Sequence, residues 1–337
     1  MLKIGINGFG RIGRIVARQL YSNPDFAKKL QIVAVNDMSS PEELAFLFKR
    51  DSVHGTWKGT VTHDKESITI NGNKIAVLKQ TDPTQLPWGQ LGAEVVFECT
   101  GRFTDREGAA QHLKGGAKRV VVSAPAKGVD LTIVMGVNHK LYDPSKHVVV
   151  SNASCTTNCL APVVHVLHEK FGIQHGLMTT VHSYTSDQRI IDNTHKDLRR
   201  ARTAGLNMIP TSTGAAKTVG EVLPALKGKL DGHSVRVPTA DVSFTDFVAT
   251  LSKPVTPQEV NDALKAAAQG DLKGILDVTD EPLVSSDFIG NTYSSTVDAQ
   301  LTQVMSGTMV KVCSWYDNEV GFSTRMLDLA TLIASKN

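Results

Sequence analysis

The 337-residue chain is poor in cysteine and aromatics and has almost no surplus charge; each shortage narrows the field. Four cysteines (Cys99, Cys155, Cys159 and Cys313) are too few for a disulfide framework in a chain this long. A reducing, cytoplasmic setting is therefore expected, where a special cysteine is a reactive thiol. Thirty-six Lys and Arg against 33 Asp and Glu, with no basic stripe, give no reason to expect nucleic acid as the main partner. No apolar run reaches the roughly 18 residues of a membrane span. The opening residues run straight into a strand-like pattern without a charged n-region, apolar h-region and cleavage site, so no secretory signal is expected. Cys155 and Cys159 lack a second Cys/His pair at ligand spacing, so no metal is expected.

What is present is ordinary globular composition, 41% hydrophobic and 20% charged, in a length that accommodates two domains. Short continuous apolar runs at Lys3–Asn7, Gln31–Asn36, Glu94–Cys99, Arg119–Ser123 and His147–Ser151 have the character of strands buried on both faces. Helical spacing lies between several of them, at Arg11–Leu20 and Asp105–Lys114. Repeated strand–helix–strand units predict an α/β fold of Rossmann type, a doubly wound parallel sheet. Asn71-Gly72 between Ser67–Ile70 and Asn73–Val77 predicts an inserted hairpin. After about Ser151 the pattern changes to alternating segments, Leu177–Tyr184 and Ser234–Leu251, which predict an α+β domain with a mostly antiparallel sheet. The expected division is residues 1–153, completed by a C-terminal helix within 318–337, and residues 154–317. A long polar stretch from Ser183 to Ile209 carries Arg189, Arg199, Arg200 and Arg202. A loop of that length in a compact domain is functional or part of an interface.

Gly8-Phe9-Gly10-Arg11-Ile12-Gly13 fits G-x-G-x-x-G between a strand and a helix, and Asp37 follows the next strand at the spacing a dinucleotide site needs. The glycines let backbone N–H groups approach a pyrophosphate at a helix N-terminus. Asp37 would accept ribose hydroxyls and repel a 2′-phosphate, favouring NAD over NADP. A glycine-rich turn beside an ordinary loop aspartate is the plain alternative. A second motif, Ser151-Asn152-Ala153-Ser154-Cys155-Thr156-Thr157-Asn158-Cys159, places Cys155 in the first turn of a helix running to Phe171. Helix N-terminal amides stabilise a thiolate, and such a cysteine can attack a carbonyl. The plain alternative is a buried structural cysteine. Cys159, one turn deeper on the same face, is expected to pack inside.

The combination INGFGRIGR, SNASCTTN, TTVHSYT, STGAAK, RVPT and SWYDNEVGFS resembles the glyceraldehyde-3-phosphate dehydrogenase family, in the family's order and over essentially the whole chain. The resemblance implies phosphorylating oxidation of glyceraldehyde 3-phosphate with NAD and inorganic phosphate. It assigns Cys155 as nucleophile and His182 as its base, paired with the thiolate. It implies one anion pocket of Thr185, Asp187 and Arg236 for the substrate's phosphate, and another of Ser154, Thr156, Thr213 and Gly214 for the attacking phosphate, with Arg200 nearby. On the cofactor side it implies Arg11 and Ile12 at the pyrophosphate, Asp37 at the ribose, Thr100, Gly101 and Ser123 along the trough, Asn318 at the nicotinamide carboxamide, and Lys79 where many members carry Arg. Asn193-Thr194 departs from the apolar–Pro pair of many NAD-preferring members. The resemblance also implies a homotetramer. Two rivals stand beside this reading: erythrose-4-phosphate dehydrogenase, which shares the Cys/His pair, and a non-catalytic surface or RNA-binding role of the same scaffold.

Overall fold

The computed structural model describes residues 1–336 and divides into two compact units. The first comprises Met1–Ile133, His139–Ala153 and the residues from Ser323 onward; the second comprises Val134–Asn138 and Ser154–Phe322.

The first unit is built on nine strands: β1 (Leu2–Asn7), β2 (Leu30–Asn36), β3 (Val61–His63), β4 (Ser67–Ile70), β5 (Asn73–Leu78), β6 (Val95–Glu98), β7 (Arg119–Val122), β8 (Leu131–Thr132) and β9 (Val149–Ser151). Their order is β3-β4-β5-β2-β1-β6-β7-β9-β8. Every pairing from β5 to β8 is parallel, and only β3-β4-β5 is antiparallel. The apolar runs explain this. Ile4, Ile6, Ile32, Val35, Val96, Phe97, Val120 and Val121 are buried because the sheet is covered on both faces. The inserted hairpin forms at Asn71 (φ 48°) and Gly72 (φ 81°), two consecutive left-handed residues that match the strand twist. Helices α1 (Arg11–Ser22), α2 (Pro24–Ala27), α3 (Pro41–Lys49) and α4 (Arg106–Lys114) fill the connections. The α/β class with a doubly wound sheet stands as the sequence predicts.

The second unit holds α5 (Cys155–Phe171), α6 (Ala215–Val222) and α7 (Pro257–Gln269), with β10 (Ile173–Ser183), β11 (Ile209–Ser212), β12 (Leu230–Val237), β13 (Ser243–Leu251), β14 (Leu276–Thr279), β15 (Ser295–Asp298), β16 (Gln303–Met305) and β17 (Met309–Tyr316). A last helix, α8 (Val320–Ser335), closes the chain. The sheet order is β11-β12-β10-β13-β17-β15-β14, with β16 added on β17. It is mostly antiparallel but mixed, since β10–β12 and β14–β15 are parallel. The alternating segment Ser234–Leu251 is two strands, not one. β12 lies parallel to one edge of β10 and β13 antiparallel to the other, so the chain must reverse between them, at Pro238–Val242. Helix α5 is buried over most of its circumference, from Thr156 to Leu167 with few interruptions, and so forms the core of this unit.

Candidate active site

The second unit brings Cys155 and His182 together. Cys155 is the first residue of α5, capped by Ser154, whose Oγ accepts from the Thr157 N–H at 3.0 Å. His182 is near the end of β10, fully enclosed, and its Nε2 lies 3.5 Å from the half-buried Cys155 Sγ. The imidazole tautomer follows from its other side. Nδ1 has two neighbours, the Ser183 carbonyl oxygen at 2.7 Å and the Arg236 Nη1 donor at 3.1 Å; the shorter contact favours a proton on Nδ1, which leaves the Nε2 lone pair facing the thiol. Tyr316 packs edge-on against the imidazole, ring centroids 5.9 Å apart.

Burial works against the thiolate–imidazolium pair that the family resemblance implies. Burial, then Arg236, pushes His182 down to about 3. Burial pushes the Cys155 thiol up, with Arg236 opposing. Both directions favour a neutral thiol donating to a neutral imidazole. Two features act on the pair beside the helix N-terminus: its desolvation, and a guanidinium whose Nη1 is 3.1 Å from Nδ1, which disfavours the imidazolium but favours the thiolate.

The residues proposed as phosphate ligands divide. Arg236 donates through Nη1 to Thr185 Oγ1 (3.3 Å) and to the Ser183 carbonyl, while its buried Nε has no hydrogen-bond partner. Thr185 and Arg236 therefore form a donor pair beside His182. Asp187 does not join them as a donor: its carboxylate accepts from Arg200 Nη1 at 2.7 Å and faces His195 Nε2 at 3.4 Å. It holds Arg200, whose Nε also donates to Thr211 Oγ1 at 3.0 Å. Arg200 is close enough to act electrostatically on both His182 and Arg236. The Thr156 hydroxyl lies 2.8 Å from Tyr316 Oη, and the Thr156 hydroxyl and backbone N–H both bear on the Cys155 sulfur. Gly214 begins α6 with no side-chain cap, and Thr213 Oγ1 accepts from the Ala215 N–H.

The first unit carries the dinucleotide motif. Gly8 has φ +93°, and a Cβ there would lie 2.8 Å from the Thr100 nitrogen; at Gly13 it would lie 2.3 Å from the Gly8 carbonyl oxygen. These two glycines are fixed by packing. A Cβ on Gly10 would instead meet nothing within 4 Å. Gly10 is also the N-cap of α1, with no capping side chain and no acidic residue in the first turn. Asp37 accepts from the Phe9 N–H (2.9 Å) and the Ser39 N–H (3.0 Å), tying the residue after β2 to the glycine loop. Arg11 Nη1 donates to the enclosed Asp51 carboxylate at 2.6 Å. Thr100, Gly101 and Ser123 follow β6 and β7 at the same sheet edge, and Lys79, exposed, follows β5.

Two family models match the chain: the glyceraldehyde 3-phosphate dehydrogenase NAD binding domain over residues 2–106, and the C-terminal domain over residues 154–318. A glyceraldehyde-3-phosphate dehydrogenase of Geobacillus stearothermophilus is 60% identical over 335 residues, covering 99% of each chain. Glyceraldehyde-3-phosphate dehydrogenase 1 of Bacillus cereus is 59% identical over 100% of this chain and 99% of its own. The Zymomonas mobilis protein of the same name is 57% identical over 99% and 98%. The chain belongs to the glyceraldehyde-3-phosphate dehydrogenase family.

Family membership makes this an NAD-dependent oxidoreductase, and the residues present fit that cofactor. The open Cβ direction at Gly10 and the uncapped start of α1 give an anion close access to backbone N–H groups. Asp37 keeps acceptor capacity for ribose hydroxyls. In the second unit Asn318 Oδ1 accepts from Ser183 Oγ and Ser243 Oγ at 2.9 and 2.7 Å, which leaves its Nδ2 protons for a carboxamide oxygen. Ser183, Ser243 and Tyr316 were not singled out from the sequence. Tyr316 was inside a quoted motif, but nothing local ties it to Thr156 or His182. Cys159 is enclosed among the hydroxyls of Thr245, Ser295 and Ser314. Among the described residues, no helix is long and apolar enough to cross a membrane.

Proposed function

We propose that this chain catalyses the phosphorylating oxidation of D-glyceraldehyde 3-phosphate with NAD+ and inorganic phosphate to 1,3-bisphosphoglycerate, through a covalent intermediate on Cys155. The observation that carries this reading is the 3.5 Å approach of the Cys155 thiol to an imidazole whose tautomer leaves Nε2 free to accept its proton. As the sulfur attacks the aldehyde carbon, Nε2 takes the thiol proton and returns it to the developing alkoxide, giving a hemithioacetal. The substrate's phosphate, held by Thr185 and Arg236, offsets the guanidinium charge that disfavours imidazolium. Substrate binding thereby makes His182 a better base at the moment one is needed. Bound NAD supplies the hydride acceptor for oxidation of the hemithioacetal to a thioester. His182 takes the hydroxyl proton in that oxidation. Inorganic phosphate, drawn by the first-turn N–H groups of α5 and α6 and by Arg200, then attacks the thioester carbonyl and expels the Cys155 thiolate. The oxidation energy is kept as an acyl phosphate.

In this reading residues 1–153 with the C-terminal helix hold the cofactor and residues 154–317 carry the chemistry. Arg11, Ile12 and Asp37 serve the adenosine diphosphate part, Thr100, Gly101 and Ser123 the trough, and Asn318 the carboxamide. Homotetramer formation is part of the same proposal. Its support is the Ser183–Ile209 stretch, where Ile190, Ile191, Leu198, Leu206 and Met208 are all exposed; so much apolar surface on one segment belongs against another subunit. A cytoplasmic location follows from the free thiol chemistry.

NADH formation from glyceraldehyde 3-phosphate, followed with and without inorganic phosphate, tests the proposal. Strict phosphate dependence supports it. Equal rates without phosphate, or a preference for erythrose 4-phosphate, would replace it with the related aldehyde oxidation. Running NADP in parallel with the natural chain and Asp37→Ala reads the cofactor choice: the variant should narrow the preference for NAD.

A further inference from the structure

Three neighbouring strands of the first unit end on polar residues whose side chains are buried. Asn36 ends β2, Asn7 ends β1 and Glu98 ends β6, and they are register partners in turn. They are 5%, 2% and 1% exposed. Such residues at the C-terminal edge of a parallel sheet lie next to the loops that bind ligand.

Their hydrogen bonds have a fixed direction. The Gln80 N–H donates to Asn36 Oδ1 (2.8 Å), so the Asn36 amide cannot be reversed, and its Nδ2 donates to Asn7 Oδ1 (2.7 Å). Asn7 Nδ2 must then donate, and it does so to Glu98 Oε2 at 2.6 Å. A second chain arrives from the opposite side. Trp88 Nε1 can only donate, and it gives its proton to His112 Nδ1 at 3.0 Å. That fixes His112 as the Nε2–H tautomer, donating to the same Glu98 Oε2 at 2.9 Å. Glu98 Oε1 accepts from the N–H and hydroxyl of Thr100. Two directed chains and a loop therefore converge on one carboxylate. Trp88 and His112 are fully enclosed, and the groups hydrogen-bonded to the Glu98 carboxylate, from Asn7, His112 and Thr100, all donate.

A buried carboxylate with no cation beside it is a costly way to fill a core, and an apolar side chain would serve packing better. What the carboxylate does that an amide cannot is accept on both oxygens at once, from the two chains on Oε2 and from Thr100 on Oε1. The backbone reinforces the same three loops. Gly8 N–H donates to the Asn36 carbonyl, Cys99 N–H to the Asn7 carbonyl, and a Cβ on Gly8 would collide with Thr100. We propose that Glu98 is a positioning residue for the cofactor, one proton-accepting hub that fixes the glycine loop, the Asp37 loop and the Thr100-Gly101 loop relative to one another. The inference rests on the reading that the first unit binds NAD.

The test is NAD binding by calorimetry to the full chain, with amide hydrogen exchange of the apoprotein. Glu98→Gln must put an NH2 either against the donors of Asn7 and His112 or against the N–H of Thr100. It should weaken NAD at least tenfold, about 1.4 kcal/mol, and speed exchange at residues 8–10, 37–39 and 99–101. Alkylation of Cys155 should stay within twofold, because the second unit is untouched. Affinity within twofold of the natural chain, or weakened affinity with no change in exchange at those loops, would overturn the proposal. If Glu98→Gln does not fold, His112→Gln keeps a donor to Glu98 and should bind NAD within threefold, while His112→Leu should not; equal affinity of the two would overturn it. Failure of the natural chain itself to bind NAD would remove the cofactor assignment, and this inference with it.

Discussion

Two helix starts in this molecule are built in opposite ways. α1 begins on Gly10 with no capping side chain, no acidic first turn and open space where a Cβ would be. α5 begins on Ser154, whose hydroxyl accepts from the Thr157 N–H and also pairs with the Thr157 hydroxyl. Both leave first-turn N–H groups without intrahelical partners. The first leaves them for a ligand and is stripped of side chains so that one can come close. The second has its cap filled from within, which in the proposed function holds its first residue, Cys155, where His182 can reach it. A third start, at α8, is capped by a carboxylate: Asp317 Oδ1 accepts from Glu319 and Val320 N–H groups. Binding needs access, chemistry needs fixed geometry, and the same backbone feature is finished differently for each.

The comparison can be broken from either side. The largest effect is expected at the fixed start: His182→Asn should lower turnover by roughly 10²–10⁴-fold, the usual worth of a general base, and slow alkylation of Cys155 at neutral pH. The pH profile of alkylation should lose its dependence on the imidazole; an unchanged profile would detach His182 from the thiol. At the open start, Gly10→Ala should leave the fold intact but weaken NAD by roughly tenfold, because it removes close backbone approach. Gly13→Ala is the control. Its Cβ would lie 2.3 Å from a carbonyl oxygen, so it should lower the melting temperature as well, and equal behaviour of the two would dissolve the distinction. Ser154→Ala removes the cap of α5 and should cost about 1 kcal/mol of stability in denaturant unfolding.

At the carboxylate-capped start the effect is read in the pH dependence of stability. Burial, then Asp317 and Glu319, pushes Asp241 up to about 9. The folded chain thus holds a proton that the unfolded chain releases near pH 4, roughly the ordinary aspartate value. The stability this proton supplies is full below that pH, declines as pH rises and is gone above about 9. Asp241→Asn should therefore flatten the fall in melting temperature between pH 6 and 9, by a few degrees. A parallel fall in both proteins would contradict the assignment.

Much of this was legible in the sequence because it is local. Continuous apolar runs gave the parallel strands, Asn71-Gly72 the hairpin, and the glycine spacing the cofactor loop. Cys155 was marked by standing in polar company between a strand and a helix. What was not legible depends on residues far apart in the chain. Arg236 lies beside His182 and disfavours its imidazolium form, and 54 positions separate them. Asp187 looks like a ligand until Arg200 is seen bound to it. The same holds for Tyr316 under Thr156, and for Glu98, an unremarked strand residue until Asn7 and His112 are brought to it. The Ser183–Ile209 stretch reads as polar from its arginines, and only the fold shows that Ile190, Ile191, Leu198, Leu206 and Met208 are left outside beside them.

The most direct measurement is mass spectrometry of the chain mixed with NAD+ and glyceraldehyde 3-phosphate without inorganic phosphate. The account predicts a 3-phosphoglyceryl group carried on Cys155 and released as acyl phosphate when phosphate is added. An acyl group on another residue, or continued turnover in Cys155→Ser, would contradict it.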